Sequence, residues 1–523
     1  MVDVNQAPVR ASFREGFAFA AISAGVGGVI GVASSILIAR LYGIEVVGQY
    51  ALATAPMGIV WFFSTVRERP GLIRALNPLQ PRAPEITGIF AAVLAFSVAL
   101  TALMSIVGAG ITYLLFNGPI DQPDLFVPAV VCLGGYLIVI NTGWNLDGAF
   151  SAFRAGRQLF WVRLHQAVAF MLLAAAAHAI AETVWCLIFA LLGAALTSLI
   201  HRIVAVRLWM RIIVPTRVLK AGFRTLPDIL RFGLRVTPGS LADGASAEAG
   251  TWILGSFSSV ASVGAWNIAW TMGKRTLDLN MRLAEMLFPT LVQRWAADDR
   301  LGFQRALTDS TRYVVTTMLL PAAVAGGAAD GVMGLFGPGF SQASGALVLL
   351  LLVPALATTI IFQSQALLAV DRPTLTSVLS VVRFMVTLSA SVALTITIGI
   401  TGTAIAVVLG FAVQLAAQLR FVTGHFETSI FRYWPHRQMI ALVPAYVAGF
   451  AIARILDAAI VQPAGLFAAL IAGSAAYAAA VIMVGGLLPR DREVGRSIAR
   501  RILPVRALKV LSHGAERRLG GIG

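Results

Sequence analysis

The sequence predicts an all-α integral membrane protein of about 14 transmembrane helices, built as two parallel six-helix repeats plus two C-terminal helices. Three observations predict it. Of 523 residues, 58% are hydrophobic and only 12% charged, with a mean hydropathy of +0.83; a soluble globular chain carries roughly 25% charged residues. Apolar runs of about 20 residues, the length that crosses a bilayer as a helix, recur from end to end. Basic residues fall on alternate connections, as they do where cytoplasmic loops hold the Lys and Arg. This composition excludes a soluble enzyme, a disordered chain and a disulfide-rich secreted scaffold. Cys132 and Cys186 both sit in apolar runs, so neither a disulfide framework nor a CxxC metal site is expected.

In chain order, residues 1–16 form a cytoplasmic N-terminus. Arg10 and Arg14 precede the first apolar run, 17–41. At about 25 residues it exceeds the roughly 7–15 of a signal-peptide core and reads as a permanent span. Spans at 44–66, 86–116, 124–148, 158–180 and 183–206 complete a first bundle, 17–206. A cytoplasmic linker, 207–228, leads to a second bundle, 229–423, with spans at 229–255, 259–283, 312–335, 343–369, 375–398 and 401–423. Two additional spans, 438–456 and 464–488, make up the segment 438–488. The basic tail, 489–523, carries Val494, Ile498 and Ile502 at helical spacing among arginines, the pattern of an amphipathic surface helix.

The charge pattern orients these spans. The formal net charge is +16. Arg67, Arg69, Arg74 and Arg82, then Arg154, Arg157 and Arg163, the stretch Arg202 to Arg231, the group Arg294 to Arg312, and Arg372, Arg432 and Arg437 all fall on one side. The opposite side has Arg40 and Arg454 among Glu45, Asp121, Asp124, Glu182, Asp330 and Asp457. A missed span would invert every later loop, so an even count with both termini cytoplasmic is expected. Charge sorted by membrane side in this way belongs to topology, and no nucleic acid partner is expected.

The repeat shows in three matches. Residues 47–53, VGQYALA, recur 216 positions later as VGAWNIA at 263–269. Residues 149–154 are echoed at 366–371, and 114–118 resemble 334–337. Six spans separate the copies, so both have the same orientation. Parallel repeats of this kind are related by an axis along the membrane normal, with the substrate site between the halves.

Catalytic motifs are missing from the sequence: there is no GxxxxGK[ST], HExxH or GxSxG. No catalytic residue, cofactor or metal ligand is assigned, and the histidines show no ligand spacing. Gly25, Gly27, Gly28 and Gly31 read as small residues that let helices approach closely. Charges inside spans carry more weight, because each costs about 2.5–3.5 kcal/mol at the bilayer centre on insertion scales. The eighth span holds Lys274, Arg275, Asp278 and Arg282, with 274, 278 and 282 on one face. The seventh holds Arg235, Asp243 and Glu248, with Pro238, Gly239 and Gly244 allowing a bend. Arg235, Lys274, Arg275 and Arg282 are the candidate cavity cations; Asp243, Glu248 and Asp278 are the candidate cavity acids, or members of buried ion pairs. Asp147 is expected at the interface, while Arg383 and Arg420 are expected to snorkel toward the inner surface.

Residues 38–43, IARLYG, followed by 48–53, GQYALA, resemble the opening of bacterial polysaccharide-biosynthesis flippases of the multidrug/oligosaccharidyl-lipid/polysaccharide (MOP) exporter superfamily. Leu287-Phe288-Pro289, Leu320-Pro321, Leu335-Phe336-Gly337 and 366–369 are similar to later landmarks of that family. The resemblance implies two bundles in a V around a central cavity, and an undecaprenyl-diphosphate-linked oligosaccharide as substrate, flipped by alternating access. It implies that Lys274 and Arg275 meet the diphosphate. Span one departs from the family pattern, since its one arginine, Arg40, is at the outer end. Implied partners are membrane lipids, H+ or Na+ as coupling ion, and other polysaccharide-assembly proteins. A cation-coupled multidrug exporter of the same fold is the second reading. A membrane glycosyltransferase or polymerase is the third, and the short outer loops count against it.

Overall fold

The computed structural model describes residues 13–66, 68–76, 79, 83, 85–153, 155–210, 216–234, 237–275, 287–288, 290–370, 372–425 and 434–484. Among the described residues all regular structure is helical: α1 (Phe13–Phe63), α2 (Glu68–Leu76), α3 (Glu85–Phe116), α4 (Phe126–Val131), α5 (Leu137–Ala152), α6 (Gly156–His178), α7 (Val184–Met210), α8 (Thr216–Leu234), α9 (Thr237–Phe257), α10 (Val260–Arg275), α11 (Arg300–Gly327), α12 (Ala329–Gly334), α13 (Ser344–Leu350), α14 (Val353–Ala369), α15 (Pro373–His425), α16 (His436–Ala459) and α17 (Ala464–Met483). Nine candidate membrane spans, each long and apolar enough to cross a bilayer, lie among the described residues. The protein is a multi-pass membrane protein.

Two causes separate nine from the expected 14. Both α1 and α15 run two expected spans together across a kink, at Gly43 (φ 73°) and at Ile398–Gly399, where Gly399 has φ 59°. Glycine enters positive φ without a Cβ penalty, so it is the residue that lets the chain bend there. The second cause is composition. Helices α9 and α11 carry charged and small polar residues, and α10 is described over only 16 residues.

Three boundaries differ from expectation. The loop read at 67–85 contains a helix, α2, whose Leu72 and Leu76 are fully buried four residues apart. Its short polar sequence hid that apolar stripe. The seventh span begins at Thr237, because residues up to Leu234 belong to α8. That helix lays Gly222 and Ile229 inward and exposes Lys220, Arg224, Asp228 and Arg231, an amphipathic arrangement. At Gly222 a Cβ would overlap the Gly88 carbonyl of α3, so glycine is what lets these helices touch. The third difference is at α11, which starts at Arg300, well before the expected 312. Asp299 caps it, accepting from Gly302 N–H at 2.8 Å and from Arg294 at 2.6 Å. The Gly302 N–H and the Arg294 guanidinium hold the Asp299 carboxyl below the usual carboxylate range.

The largest apolar core joins the two halves. It contains Val47, Ala51 and Leu52 from α1 together with Val263, Trp266 and Ala269 from α10, the very stretches that repeat in sequence. Contact there is reciprocal. A Cβ at Gly48 would overlap the Val260 carbonyl oxygen, and one at Gly264 would overlap that of Ile44. Residues 44 and 260, like 48 and 264, are 216 apart, so each copy presents the same glycine to the other's carbonyl.

Asp147 and Arg383 correct the sequence-based expectation. Asp147 is buried, not interfacial: Arg202 Nε donates to it at 2.8 Å, with Arg163 at 4.0 Å and Arg202 also bonded to Ser198 and Gln166. Arg383 does not snorkel. Its Nη2 donates to Asp243 at 2.7 Å and its guanidinium lies 4.5 Å from the Phe411 ring centroid, leaving the residue 7% exposed. A partner carboxylate and an aromatic face offset the desolvation that would otherwise drive the side chain to the surface. Arg420 is exposed. Removing one member of a buried pair leaves an uncompensated charge, at a cost of about 3–5 kcal/mol. Arg202→Met is therefore expected to cut folded protein in detergent severely. Combining it with Asp147→Leu should restore much of the loss, as measured by fluorescence-detected gel filtration after heating.

Candidate functional site

The candidate site lies where α9 and α10 face both limbs of α1. Lys274 is the penultimate residue of α10; its Nζ is 3.9 Å from Glu248 Oε1 of α9 and 5.1 Å from the Trp270 ring centroid. Glu248 in turn lies against α1: a Cβ at Gly58 would be 2.8 Å from its carboxyl carbon. Arg275 reaches the other limb, its guanidinium carbon 2.5 Å from where a Cβ of Gly31 would be. Gly31 and Gly58 thus act as clefts for two long charged side chains. Both limbs meet one charged group because the chain doubles back between them at Gly43.

The depth of this group follows from helix geometry. Lys274 is about 14 residues beyond Val260, and Gly58 about 15 beyond Gly43, so the group is roughly 21–22 Å along the helices from the end where the halves touch. That is far from the interface at this end, and the side chains are partly open: 41% for Lys274 and 22% for Glu248.

The structure brings together Lys274, Arg275 and Glu248 of the expected set, and it separates Asp243. That acid is occupied by Arg383 of α15, and it ties α9 to its own half. Arg235, Asp278 and Arg282 lie outside the described residues, as do 276–286 as a whole. The amphipathic pattern of the 489–523 tail also falls outside them. Arg40 sits at the end where the halves touch and donates from Nε to the Leu335 carbonyl at 2.6 Å. It joins the halves there and takes no part in the Lys274 group.

Two hollows lie elsewhere. One of about 490 Å³ is lined by Arg294, Asp299 and Arg305; another of about 460 Å³ is lined by Arg40, Asp330 and Arg454. Arg294 pairs with Asp299 and Arg454 with Asp330, so each hollow has its charge largely balanced. Sequence reasoning also missed polar groups in the first bundle. His165 Nδ1 and His201 Nδ1 are 3.0 Å apart. Glu68, Ser97, Asn141 and Asn145 form a buried network. Asn and Ser carry no charge, so nothing flags them within apolar helices.

Comparison with known proteins fits this geometry. No family model matches the sequence. The chain aligns over 89% of its length, and 98% of the other's, with a lipid II flippase MurJ in an inward closed conformation, at TM-score 0.68 and 12% identity. A multidrug resistance MATE family transporter of the MOP superfamily, in an inward-facing conformation, aligns over 77% of this chain and 94% of that one, at TM-score 0.61 and 16% identity. The fold is that of MOP transporters. In sequence, 185 residues are 26% identical to a probable low-salt glycan biosynthesis flippase, Agl15, of Haloferax volcanii. That stretch is 35% of this chain and 38% of the relative's length. Within this fold, the reciprocal glycine contacts join the halves at one end, and the Lys274 group lies farther along the same helices.

Proposed function

We propose that this protein moves a lipid-linked oligosaccharide, of the undecaprenyl-diphosphate type, across the bacterial cytoplasmic membrane during cell-surface polysaccharide assembly. Bundles 17–206 and 229–423 alternate access around the gap between them, with 207–228 as the cytoplasmic linker, 438–488 as two accessory spans and both termini cytoplasmic. One observation carries this reading: Lys274 and Arg275 of the second half lie where it faces the first, Arg275 against Gly31 of α1 and Lys274 beside Glu248, which lies against Gly58. An anionic headgroup needs a hydrated, cationic path through hydrocarbon, and two adjacent cations there supply it. In this scheme Arg235 and Arg282 extend the cationic lining, and Asp278 spaces the cations.

A cation-coupled drug exporter of the same fold is the second reading. It needs acids in the gap available to a cationic drug. Glu248 is next to Lys274, and Asp243 is held by Arg383, so both acids are matched by cations of the chain itself. A polymerase or glycosyltransferase is the third reading, and the short outer loops count against it. H+ or Na+ is the coupling ion in the proposed cycle, and neighbouring polysaccharide-assembly proteins supply and receive the lipid.

The test is transport in reconstituted vesicles. Fluorescent undecaprenyl-diphosphate oligosaccharide is expected to change leaflet in a protein-dependent way, and a cationic dye such as ethidium is not. Dye movement without lipid movement would favour the exporter.

A further inference from the structure

We propose that Glu248 decides which lipid anions the Lys274 group accepts. Its charge keeps singly charged phospholipid headgroups from being held there and leaves the group to diphosphate-linked lipids. The inference rests on the function proposed above and assigns Glu248 a part in its specificity.

Glu248 is near the middle of α9, 11 residues after Thr237 and 9 before Phe257, where a charge is costly in a membrane span. It also sits beside the cation that would hold an anion, so it weakens the attraction that the group supplies. An acid that only has to be balanced is treated differently in this chain. Five residues earlier on the same helix, Asp243 accepts a hydrogen bond from Arg383 Nη2 at 2.7 Å. Glu248 Oε1 stays 3.9 Å from Lys274 Nζ, beyond the roughly 2.7–3.2 Å of an N–H···O bond. The pair therefore acts through charge, and Glu248 leaves the N–H groups of Lys274 to a ligand.

The first half fixes the acid in this position. A Cβ at Gly58 of α1 would be 2.8 Å from the Glu248 carboxyl carbon and 2.9 Å from Oε1, so the carboxyl occupies space that only glycine leaves open. On the other side the Lys274 ammonium lies 5.1 Å from the Trp270 ring centroid, an aromatic face that favours a cation. The acid side chain is still 22% exposed, so an arriving anion meets its charge.

Charge counting gives the consequence. Lys274, Arg275 and Glu248 together carry one net positive charge, and removing the Glu248 charge adds one more. Attraction scales with the product of the charges on ligand and group. A diphosphate in diester linkage carries two negative charges and a phospholipid phosphodiester one, so the first gains about twice as much from the same group. A lipid anion reaches the group from the membrane, where singly charged headgroups are abundant. While Glu248 holds the net charge down, those headgroups gain little and the diphosphate gains more. Without the acid, a phospholipid gains about what the diphosphate gains with it.

Two lipids are titrated against the purified full chain in neutral detergent: dioctanoyl phosphatidylglycerol, and an undecaprenyl-diphosphate oligosaccharide. Glu248→Gln keeps the shape and removes the charge, whereas Glu248→Asp keeps the charge and shortens the side chain. Phosphatidylglycerol is expected to bind Glu248→Gln at least about tenfold more tightly than the wild type, with the gain shrinking at high salt. Glu248→Asp should stay within about threefold of the wild type, since its charge is unchanged. The melting temperature of each variant checks folding, and Glu248→Ser gives the same test should Glu248→Gln fail to fold. Equal phosphatidylglycerol affinity in the wild type and the neutral variant would overturn the proposal. So would an equal gain in Glu248→Gln and Glu248→Asp, which would make Glu248 a packing element. Failure of the diphosphate lipid to bind the wild type would instead overturn the function proposed above, and this inference with it.

Discussion

Replacing Lys274 and Arg275 together by Glu is expected to abolish movement of a diphosphate-linked lipid, by about a hundredfold or more, while the protein remains in the membrane. Like charges brought together at a recognition site cost several kcal/mol, and each 1.4 kcal/mol is a factor of about ten. The geometry sharpens the expectation. Lys274 is the recorded partner of Glu248 at 3.9 Å, so Lys274→Glu places two carboxylates side by side where a diphosphate would enter. Arg275 lies in the cleft at Gly31, and Glu there is shorter and of the wrong sign. Lys274→Arg should be much milder, since it keeps the charge and adds a planar fork that suits phosphate. Abundance is the control: Lys274 is partly open to solvent, so its reversal should cost little folding, unlike the loss of Arg202. Asp278→Asn should change transport without abolishing anion binding, because the cations stay.

The second large effect is expected at Gly48 and Gly264. Valine at either position cannot coexist with the opposite carbonyl, of Val260 or Ile44 respectively, so the halves must separate where they now touch. Each variant should shift the population away from the state closed at this end and stop the cycle, with transport falling at least about tenfold. Because the contact is reciprocal, the two variants should behave alike. Single cysteines near Leu335 and Ile44 should become reactive toward an external thiol reagent in both. Gly110→Ala is the contrast: nothing lies within 4 Å of its Cβ position, and helix propensity favours Ala, so it should be silent.

The distribution of what could be foreseen has physical causes. Hydropathy and charge alternation depend on composition over about 20 residues, which is why membrane class, the helices and the repeat were legible. Lys274, Arg275 and Glu248 stood out because a charge in a span is costly wherever its helix turns. Pairing between helices is different. Asp243 finds Arg383 across 140 residues, and no local spacing foretells that. Asp147 was placed at the interface because its helix ends nearby, yet Arg202 on α7 draws it inward. The Glu68 network was hidden for another reason: its members are neutral except for one, and that one begins a nine-residue helix that reads as loop. The two breaks were legible, since Gly43 and Gly399 fall between expected spans, and the chain leaves helical geometry there.

The central claim is that the gap between the halves recognises an anionic lipid headgroup through Lys274 and Arg275. Binding tests it most directly. Undecaprenyl diphosphate and uncharged undecaprenol are titrated, in separate experiments, against the detergent-purified protein and its Lys274→Glu, Arg275→Glu variant, at low and high salt. The predicted result is saturable binding of the diphosphate, weakened by salt and lost in the variant, with no comparable binding of undecaprenol. Equal affinity for both lipids, or diphosphate binding that survives the charge reversal, would contradict it.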